Sequence, residues 1–385
     1  MSSSTNDIIL TNAKLVLEDA ILDGTIVFGG DGTIAQMDSG TSKLPSAIDC
    51  GGDYVLPGLV ELHTDNVERH FVPRPRAYWP NAIAAVMAHD SEIAGAGITT
   101  VYDALSVGDY DGENSPRREL FAEMVGAVQR ASALGIFRVE HRLHLRCELS
   151  DPRLMETLEP VAKAHKADLV SLMDHTPGQR QWRDVEALRT YMSRTGLAPQ
   201  EVERTIRLRI EKGSSSTPAN WRAVLDLFAS ESVTLATHDD TTIDDIDQSA
   251  DAGIAISEFP CSLAAAQRAH ARGMTTIGGA PNVVRGGSHS GNVAMEELAS
   301  AGVLDALSSD YVPSSLLQAP FLMAERLDLP LYDTLKTVTQ NPARMVGLDD
   351  RGVLALGKRA DVLRVRVADS TPFVQATFVR GRRVS

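Results

Sequence analysis

Histidine and carboxylate side chains follow several predicted strands of this chain, at the point where each strand ends. The first pair is His63 and Asp65, which come directly after the apolar run 56–62. A spacing of two residues lets both side chains converge as regular strand structure stops, and imidazole and carboxylate are both good ligands for a divalent cation. A His-x-Asp pair alone is common in proteins, so the metal interpretation depends on similar residues at later strands.

The later strand ends supply such residues. The candidate metal ligands are His63, Asp65, Glu148, His175, His238 and Asp310. His238 and Asp310 are also the candidate catalytic residues, and Asp310 is expected to orient the attacking water and take its proton. Some neighbouring residues have simpler explanations. His141 and His144 fit structural polar positions as well as ligand positions, and one of Asp239 and Asp240 is expected to cap the following helix.

A glycine-rich segment, 278–292, follows the seventh predicted strand and predicts an anion site. Its candidate substrate-binding residues are Arg285, Gly286, Gly287, Ser288 and His289. Guanidinium groups and backbone N–H groups both donate to phosphate oxygens. The alternative to an anion site is that this segment is a flexible surface loop. Further substrate contacts are expected from Arg69, Arg74, Arg142 and Arg146. Some of these arginines are expected to be ordinary surface or salt-bridge residues.

These side chains need a scaffold that brings strand ends together. Eight strand-like runs alternate with helical segments, at 56–62, 98–104, 138–147, 168–173, 232–237, 253–257, 274–278 and 304–309. Eight βα units predict an α/β fold, a (β/α)8 TIM barrel, in which reacting groups lie at the C-terminal ends of the strands. Helices are predicted at 115–134 and at 221–229, the latter capped at Thr217 and Pro218.

The two ends of the chain have a different pattern, with short alternating strands and glycine-containing turns. We therefore predict a small β-sandwich domain built from residues 1–55 and 351–385, and a barrel domain over 56–350.

Composition narrows the classes of function. The chain has 385 residues, a net charge of -14 and a pI near 5.2, which opposes binding to nucleic acid or to an anionic membrane. Any phosphate site must be a local island of positive charge. Three widely spaced cysteines and the lack of an apolar leader or spanning segment indicate a reduced, cytoplasmic protein.

Several motifs resemble the amidohydrolase superfamily. They are 57–63 around the first strand, 96–101 around the second, Ser309 with Asp310, 341–348, and 357–361. The resemblance covers nearly the full length and implies a metal-dependent hydrolase on a (β/α)8 barrel with a β-sandwich from both termini. It also implies a divalent metal cofactor, one or two ions. Zinc is the first choice, and manganese and iron are alternatives.

A narrower resemblance, to the PhnM family of the carbon–phosphorus lyase pathway, lies in 63–70, 73–80, 140–148 and 173–179. It implies hydrolysis of α-D-ribose 1-methylphosphonate 5-triphosphate to the 5-phosphate and pyrophosphate. The chain departs from the commonest superfamily pattern by having His-x-Asp where His-x-His is usual. It also lacks a lysine at the end of the fourth strand that could bridge two metals. Glu148 is the predicted bridging ligand, with Asp174 as its alternative.

The sequence therefore predicts a hydrolase in which a divalent cation activates water for attack on the phosphorus nearest the ribose. The expected partner is a small phosphorylated ribose, with no nucleic acid or membrane, and the chain is expected to form a homodimer if it associates. One competing hypothesis is cleavage of a C–N bond, which predicts a site with few arginines. Another is a catalytically silent barrel that serves as an assembly subunit.

Overall fold

The computed structural model describes residues 7–74, 77–109, 116–194, 196–288 and 291–385, with the side chains of Pro116 and Arg117 left out. Strands from both ends of the chain form one eight-stranded, mostly antiparallel sheet. Its N-terminal strands are β1 (Ile8–Val16), β2 (Ile21–Phe28), β3 (Ile34–Ser39), β4 (Ile48–Asp49) and β5 (Tyr54–Pro57). Eight parallel strands follow and form the second sheet, as the sequence predicts.

The parallel strands are β6 (Leu59–Thr64), β7 (Ile98–Val107), β8 (Glu140–Glu148), β9 (Leu169–Met173), β10 (Thr234–His238), β11 (Ile256–Glu258), β12 (Thr275–Gly279) and β13 (Ala306–Ser308). Each strand pairs with the next in chain order. The first and last strands meet at a bridge between Thr64 and Asp310, which closes the barrel. Every residue of β6, β7 and β9 is buried, as expected for parallel strands covered by helices.

The C-terminal strands β14 (Val362–Ala368), β15 (Thr371–Val379) and β16 (Arg382–Arg383) return to the terminal sheet, where β14 pairs with β5. The sheet folds over its own apolar core, because Phe28 of β2 and Phe378 of β15 pack edge to face at 5.1 Å although three strands lie between them. The predicted shared domain of the two termini is consistent with this sheet, and its exact boundaries stay a prediction.

Helices cover the outside of the barrel. They are α1 (Asn66–Phe71), α2 (Ala82–Gly95), α3 (Pro116–Ala133), α4 (Leu154–Ala164), α5 (Val185–Ser193), α6 (Pro199–Phe228), α7 (Ile243–Asp251), α8 (Leu263–Ala271), α9 (Ala280–Arg285), α10 (Met295–Ser300), α11 (Ser315–Leu327), α12 (Leu331–Lys336) and α13 (Gln340–Met345). A short 3-10 helix lies at Arg180–Trp182. No helix in the described ranges is long and apolar enough to cross a membrane.

Two local predictions are wrong. Leu56 and Pro57 pair with β14 in the terminal sheet, and the barrel begins after Gly58, where a Cβ atom would lie 2.2 Å from the Thr99 hydroxyl. The predicted cap at Thr217 lies inside α6, which continues through Pro218 although a proline removes a backbone donor and crowds the preceding turn. Six of the fifteen residues in the glycine-rich segment form α9, which begins directly after β12.

Candidate active site

The centre of the barrel mouth is organised by one carboxylate, that of Glu258 at the end of β11. Its side chain is fully buried, and its two oxygens lie 3.1 Å from Nδ1 of His63 and 3.4 Å from Nδ1 of His238. A carboxylate can only accept, so a neutral ring carries its hydrogen on Nδ1 and keeps its lone pair on Nε2. Burial alone would raise the pKa of Glu258, but His63 and the hydrogen bonds from His238 and His63 hold it well below its usual range.

The donor set fits a divalent cation. Nε2 of His63 is buried and has no hydrogen-bond partner among the described residues, and it lies 3.7 Å from an oxygen of Asp65. Two ligand atoms that each bind one ion at about 2.1 Å can be separated by this distance. A buried imidazole nitrogen without a partner is costly in a folded protein, and a bound cation would satisfy it.

A second group of ligand atoms lies beside the first. His175, His238 and Asp239 present nitrogen and oxygen atoms within 4.8 Å of one another. Nε2 of His175 is 3.8 Å and Nε2 of His238 is 3.5 Å from the same Asp239 oxygen. The sequence places Asp239 and Asp240 among the ligand-like residues at strand ends and predicts that one of them caps the following helix. The helix α7 is instead capped by Thr242, whose hydroxyl accepts the backbone N–H of Asp245 at 3.1 Å.

Glu148 contacts the Nδ1 side of the His175 ring, away from Nε2, which faces Asp239. One Glu148 oxygen accepts a hydrogen bond from Nδ1 of His175 at 2.5 Å, and the other accepts one from the Ser150 hydroxyl at 2.5 Å. Its fully buried carboxylate therefore orients the histidine and fixes its Nδ1 tautomer. This geometry favours a positioning role over the bridging role that the sequence predicts for Glu148, and the alternative, Asp174, lines a different cavity.

Arg146 and Asp310 complete the mouth. Arg146 forms an ion pair with Asp65, and its Nε has no hydrogen-bond partner among the described residues. Two backbone hydrogen bonds fix Asp310. Its N–H donates to the His63 carbonyl at 3.2 Å, and its carbonyl accepts from the Asp65 N–H at 3.0 Å. Burial raises the pKa of the Asp310 carboxyl to about 7, and the Asp65 carboxylate adds to the rise. The last strand thus presents a carboxylate directly beside the first-strand ligands.

Strained backbone marks the same region. Asp239, Phe259 and Asp310 have φ angles of 58°, 53° and 53°, which residues other than glycine seldom adopt. Each follows a barrel strand at its C-terminal end. Such conformations persist where the surrounding structure fixes them, and they are concentrated at functional sites.

A cavity of about 290 Å³ opens above these ligands. Of the predicted substrate-binding residues, Arg146, Arg285, Gly287 and Ser288 line it. Its other polar lining residues are Gln181, Asn282, Asn292 and Tyr311. Asn282 and Asn292 lie in the predicted anion-binding segment 278–292, whereas sequence reasoning missed Gln181 and Tyr311. Both follow barrel strands in the chain, but polar residues there are too common for that signal to select them.

The remaining predicted substrate residues lie elsewhere. Arg69 is at the rim and donates to the carbonyl of Tyr311 at 3.1 Å, and Arg74 is exposed on the loop after α1. Gly286 ends α9 with a φ of 77° and is not part of the lining. His289 is outside the described residues.

Arg142, also predicted to contact substrate, does not line the mouth cavity. Arg142 lies four residues before Arg146 on β8, about 13 Å further from the mouth at the usual rise of a strand. There it forms ion pairs with Glu140 and Asp168.

In the other histidine cluster, formed by His89, Asp103 and His141, ring nitrogens contact carboxylates. His141 lies between Asp103, whose oxygen is 2.8 Å from Nδ1, and Asp90, whose oxygen is 3.3 Å from Nε2. Nε2 of His89 contacts the other oxygen of Asp103 at 2.8 Å. His144, also predicted as structural or ligating, contacts the Leu62 carbonyl at 2.9 Å and the Ser171 hydroxyl. Burial lowers the pKa of His144 to about 3, so its ring is neutral.

Comparison with known proteins assigns the family. A model of the amidohydrolase family matches residues 218–384. The chain is 40% identical over 381 residues to alpha-D-ribose 1-methylphosphonate 5-triphosphate diphosphatase of Escherichia coli strain K12, an alignment that covers 98% of this chain and 100% of that protein. The chain belongs to the PhnM family. As a PhnM-family member it is an enzyme of the amidohydrolase superfamily, whose members are metal-dependent hydrolases.

Solved structures share the fold of this PhnM-family chain. 5-Methylcytosine deaminase from Klebsiella pneumoniae, solved with 5-fluorocytosine, gives a TM-score of 0.64 at 16% identity, covering 98% of this chain and 97% of that one. N-acetyl-D-glucosamine-6-phosphate deacetylase from Mycobacterium smegmatis gives a TM-score of 0.62 at 16% identity, covering 98% of this chain and 99% of that one. At these identities the likeness shows the shared architecture alone.

Proposed function

We propose that this chain hydrolyses α-D-ribose 1-methylphosphonate 5-triphosphate to the 5-phosphate and pyrophosphate at the barrel mouth. The observation that carries the proposal is Nε2 of His63, which is buried beside an arginine-lined cavity and has no hydrogen-bond partner in the described part of the chain. The chain is 40% identical to a diphosphatase for this triphosphate. A cavity lined by Arg146 and Arg285 suits phosphate oxygens, whereas C–N bond cleavage requires no such cations.

His63, Asp65, His175, His238, Asp239 and Asp310 are the residues that would hold the divalent cation. When bound, the cation would lower the pKa of water and neutralise charge on phosphoryl oxygens. Imidazole and carboxylate accept zinc, manganese and iron, and zinc is the first candidate because histidine nitrogens and carboxylate oxygens are among its usual protein ligands. Glu258 and Glu148 keep the histidine rings in the tautomer that offers Nε2.

The reacting groups of the chain have separate tasks. Asp310 accepts a proton from the attacking water at a carboxylate oxygen, since its backbone is fixed to β6 and its side chain faces the ligand atoms. Arg146 and Arg285 donate N–H groups to oxygens of the triphosphate, and Gly287 and Ser288 extend this surface toward the leaving pyrophosphate. Water adds its oxygen to the phosphorus nearest the ribose, the bond from that phosphorus to the pyrophosphate oxygen breaks, and pyrophosphate leaves.

Hydrolysis in heavy-oxygen water tests this proposal. We expect equimolar pyrophosphate and α-D-ribose 1-methylphosphonate 5-phosphate, with one heavy oxygen in the sugar phosphate and none in pyrophosphate. An N-acyl amino acid serves as the control substrate for amide cleavage. Amide cleavage without pyrophosphate release, or heavy oxygen found in pyrophosphate, would contradict the proposed reaction or the proposed point of attack, respectively.

A further inference from the structure

A groove rich in arginine lies at the opposite end of the barrel from the mouth, between the start of β8 and the terminal sheet. Its volume is about 890 Å³, and five arginines line it: Arg138, Arg359, Arg380, Arg382 and Arg383. Asp31 and Glu140 are its two acidic lining residues, so the lining carries a net charge of +3. This is an island of positive charge on a chain with a net charge of -14.

The two carboxylates of the groove are already engaged. Both oxygens of Asp31 lie 2.9 Å from the Thr33 hydroxyl, and one also accepts the Thr33 backbone N–H. Glu140 pairs with Arg351 at 2.9 Å and with Arg359. Burial alone would raise the pKa of Glu140, but these two guanidinium groups hold it at about 2. Arg138 also pairs with Asp90 at 2.8 Å, and Arg380 lies 3.5 Å from Glu140. The guanidinium groups of Arg382 and Arg383 form no ion pair with an acidic side chain among the described residues, so their charge stays available to a ligand.

Arg359 gives the groove a buried donor. Its side chain is only 4% exposed, and it uses Nε for Asp361 at 2.9 Å and Nη1 for Glu140. Its Nη2 is buried and has no hydrogen-bond partner among the described residues. A buried guanidinium nitrogen without an acceptor costs free energy, and an anionic oxygen would satisfy it.

The rim residues are well placed for the same ligand. Arg382 and Arg383 are exposed on β16, an edge strand, and the side chains of Arg138 and Arg380 are 41% and 63% exposed. Arginine forks bind phosphate oxygens in pairs. A long acidic polymer would extend beyond the groove over a surface that repels it, whereas a small anion would contact the island alone.

We propose that this groove binds a small phosphoanion with two or more negative charges, such as inorganic pyrophosphate, as a second site remote from the barrel mouth. The site is independent of the reaction proposed above, because no groove residue lines the mouth cavity. Its occupant would bridge the barrel and the terminal sheet.

Calorimetric titration of the holoenzyme with pyrophosphate tests the proposal. The variant R382A/R383A removes two exposed charges from the groove, and R204A/R207A removes two exposed charges from α6 as the matched control. We expect R382A/R383A to lose one equivalent of bound pyrophosphate, or to bind it at least about tenfold more weakly, because each lost guanidinium contact is a charge-assisted hydrogen bond. The control should titrate like the wild type.

Arg285→Ala separates the two sites. This variant should still bind one equivalent of pyrophosphate in the groove, whether or not the mouth also binds it. R382A/R383A should keep wild-type kcat and KM. The proposal is overturned if R382A/R383A and wild type bind pyrophosphate identically. It is also overturned if the groove binds poly-glutamate and not pyrophosphate, which would make it a surface for acidic protein segments.

Discussion

The imidazole rings of His63 and His238 stack with their centroids 5.3 Å apart and an angle of 20° between their planes. The two residues are 175 positions apart in sequence and end different barrel strands. Both turn Nδ1 toward Glu258, so one carboxylate sets the orientation of two candidate ligands at once. Glu258 can therefore orient both candidate ligands without binding a metal itself.

Glu258→Gln should lower the affinity for the divalent cation by about 10- to 100-fold. A glutamine side chain offers one acceptor oxygen and one donor nitrogen, so only one of the two rings keeps its hydrogen bond to this position. Competition with a chromogenic chelator measures the affinity. Glu297→Gln on the exposed face of α10 is the control. Equal affinities in E258Q and wild type would remove Glu258 from the positioning role.

Asp310→Asn should reduce turnover by about 100-fold or more, because the variant lacks the carboxylate that takes the proton from water. The fold should be unchanged, since asparagine tolerates the φ of 53° and keeps both backbone contacts to β6. Steady-state pyrophosphate release gives the rate, and thermal unfolding checks the fold. Near-normal turnover in a folded variant would refute this assignment.

Arg285→Ala should raise KM for the triphosphate by about tenfold or more and change kcat little, since a ground-state phosphate contact is lost. Arg285 ends α9 and lines the mouth cavity while staying exposed, so its removal leaves no buried charge unpaired. Arg204→Ala on α6 is the matched control. A fall in kcat with KM unchanged would place Arg285 in transition-state stabilisation instead.

The buried His141 should make stability decrease at alkaline pH. Burial alone would lower its pKa, but Asp103 and Asp90 raise it to about 9. Because the folded pKa is the higher one, the stabilisation is fully present below about pH 6.5 and is lost as pH rises through about 9. The full effect is at most about 3 kcal/mol. His89 and Asp103 have lowered pKa values, so the stability that they contribute is lost at low pH and changes little between pH 6.5 and 9.

Urea unfolding between pH 6.5 and 9.5 checks this prediction. Wild type should lose stability across the range, and His141→Asn should show a flatter dependence, while His165→Asn keeps the wild-type slope. If H141N does not fold, the wild-type slope remains the test, and a wild-type curve without any decrease would contradict the charged state of His141.

The barrel and the first-strand ligands could be predicted because they depend on local patterns. Each barrel strand is a short apolar run, and His63, His238 and Asp310 come where a run ends. The roles of Glu258 and Asp239 could not be predicted in this way. Whether a carboxylate binds a metal or orients a histidine depends on contacts across the mouth, such as the one between Glu258 and His63. Local pattern also could not separate Arg142 from Arg146, because β8 carries both arginines and only Arg146 lines the mouth cavity.

Anomalous diffraction from crystals of the active enzyme, collected on either side of the absorption edge of its metal, tests the central claim most directly. We predict a peak within about 2.3 Å of Nε2 of His63, with Nε2 of His238 as a second ligand and Asp65 or Asp310 completing the site. Crystals of fully active enzyme with no anomalous peak at the barrel mouth, or with the peak at His89 and His141, would contradict it.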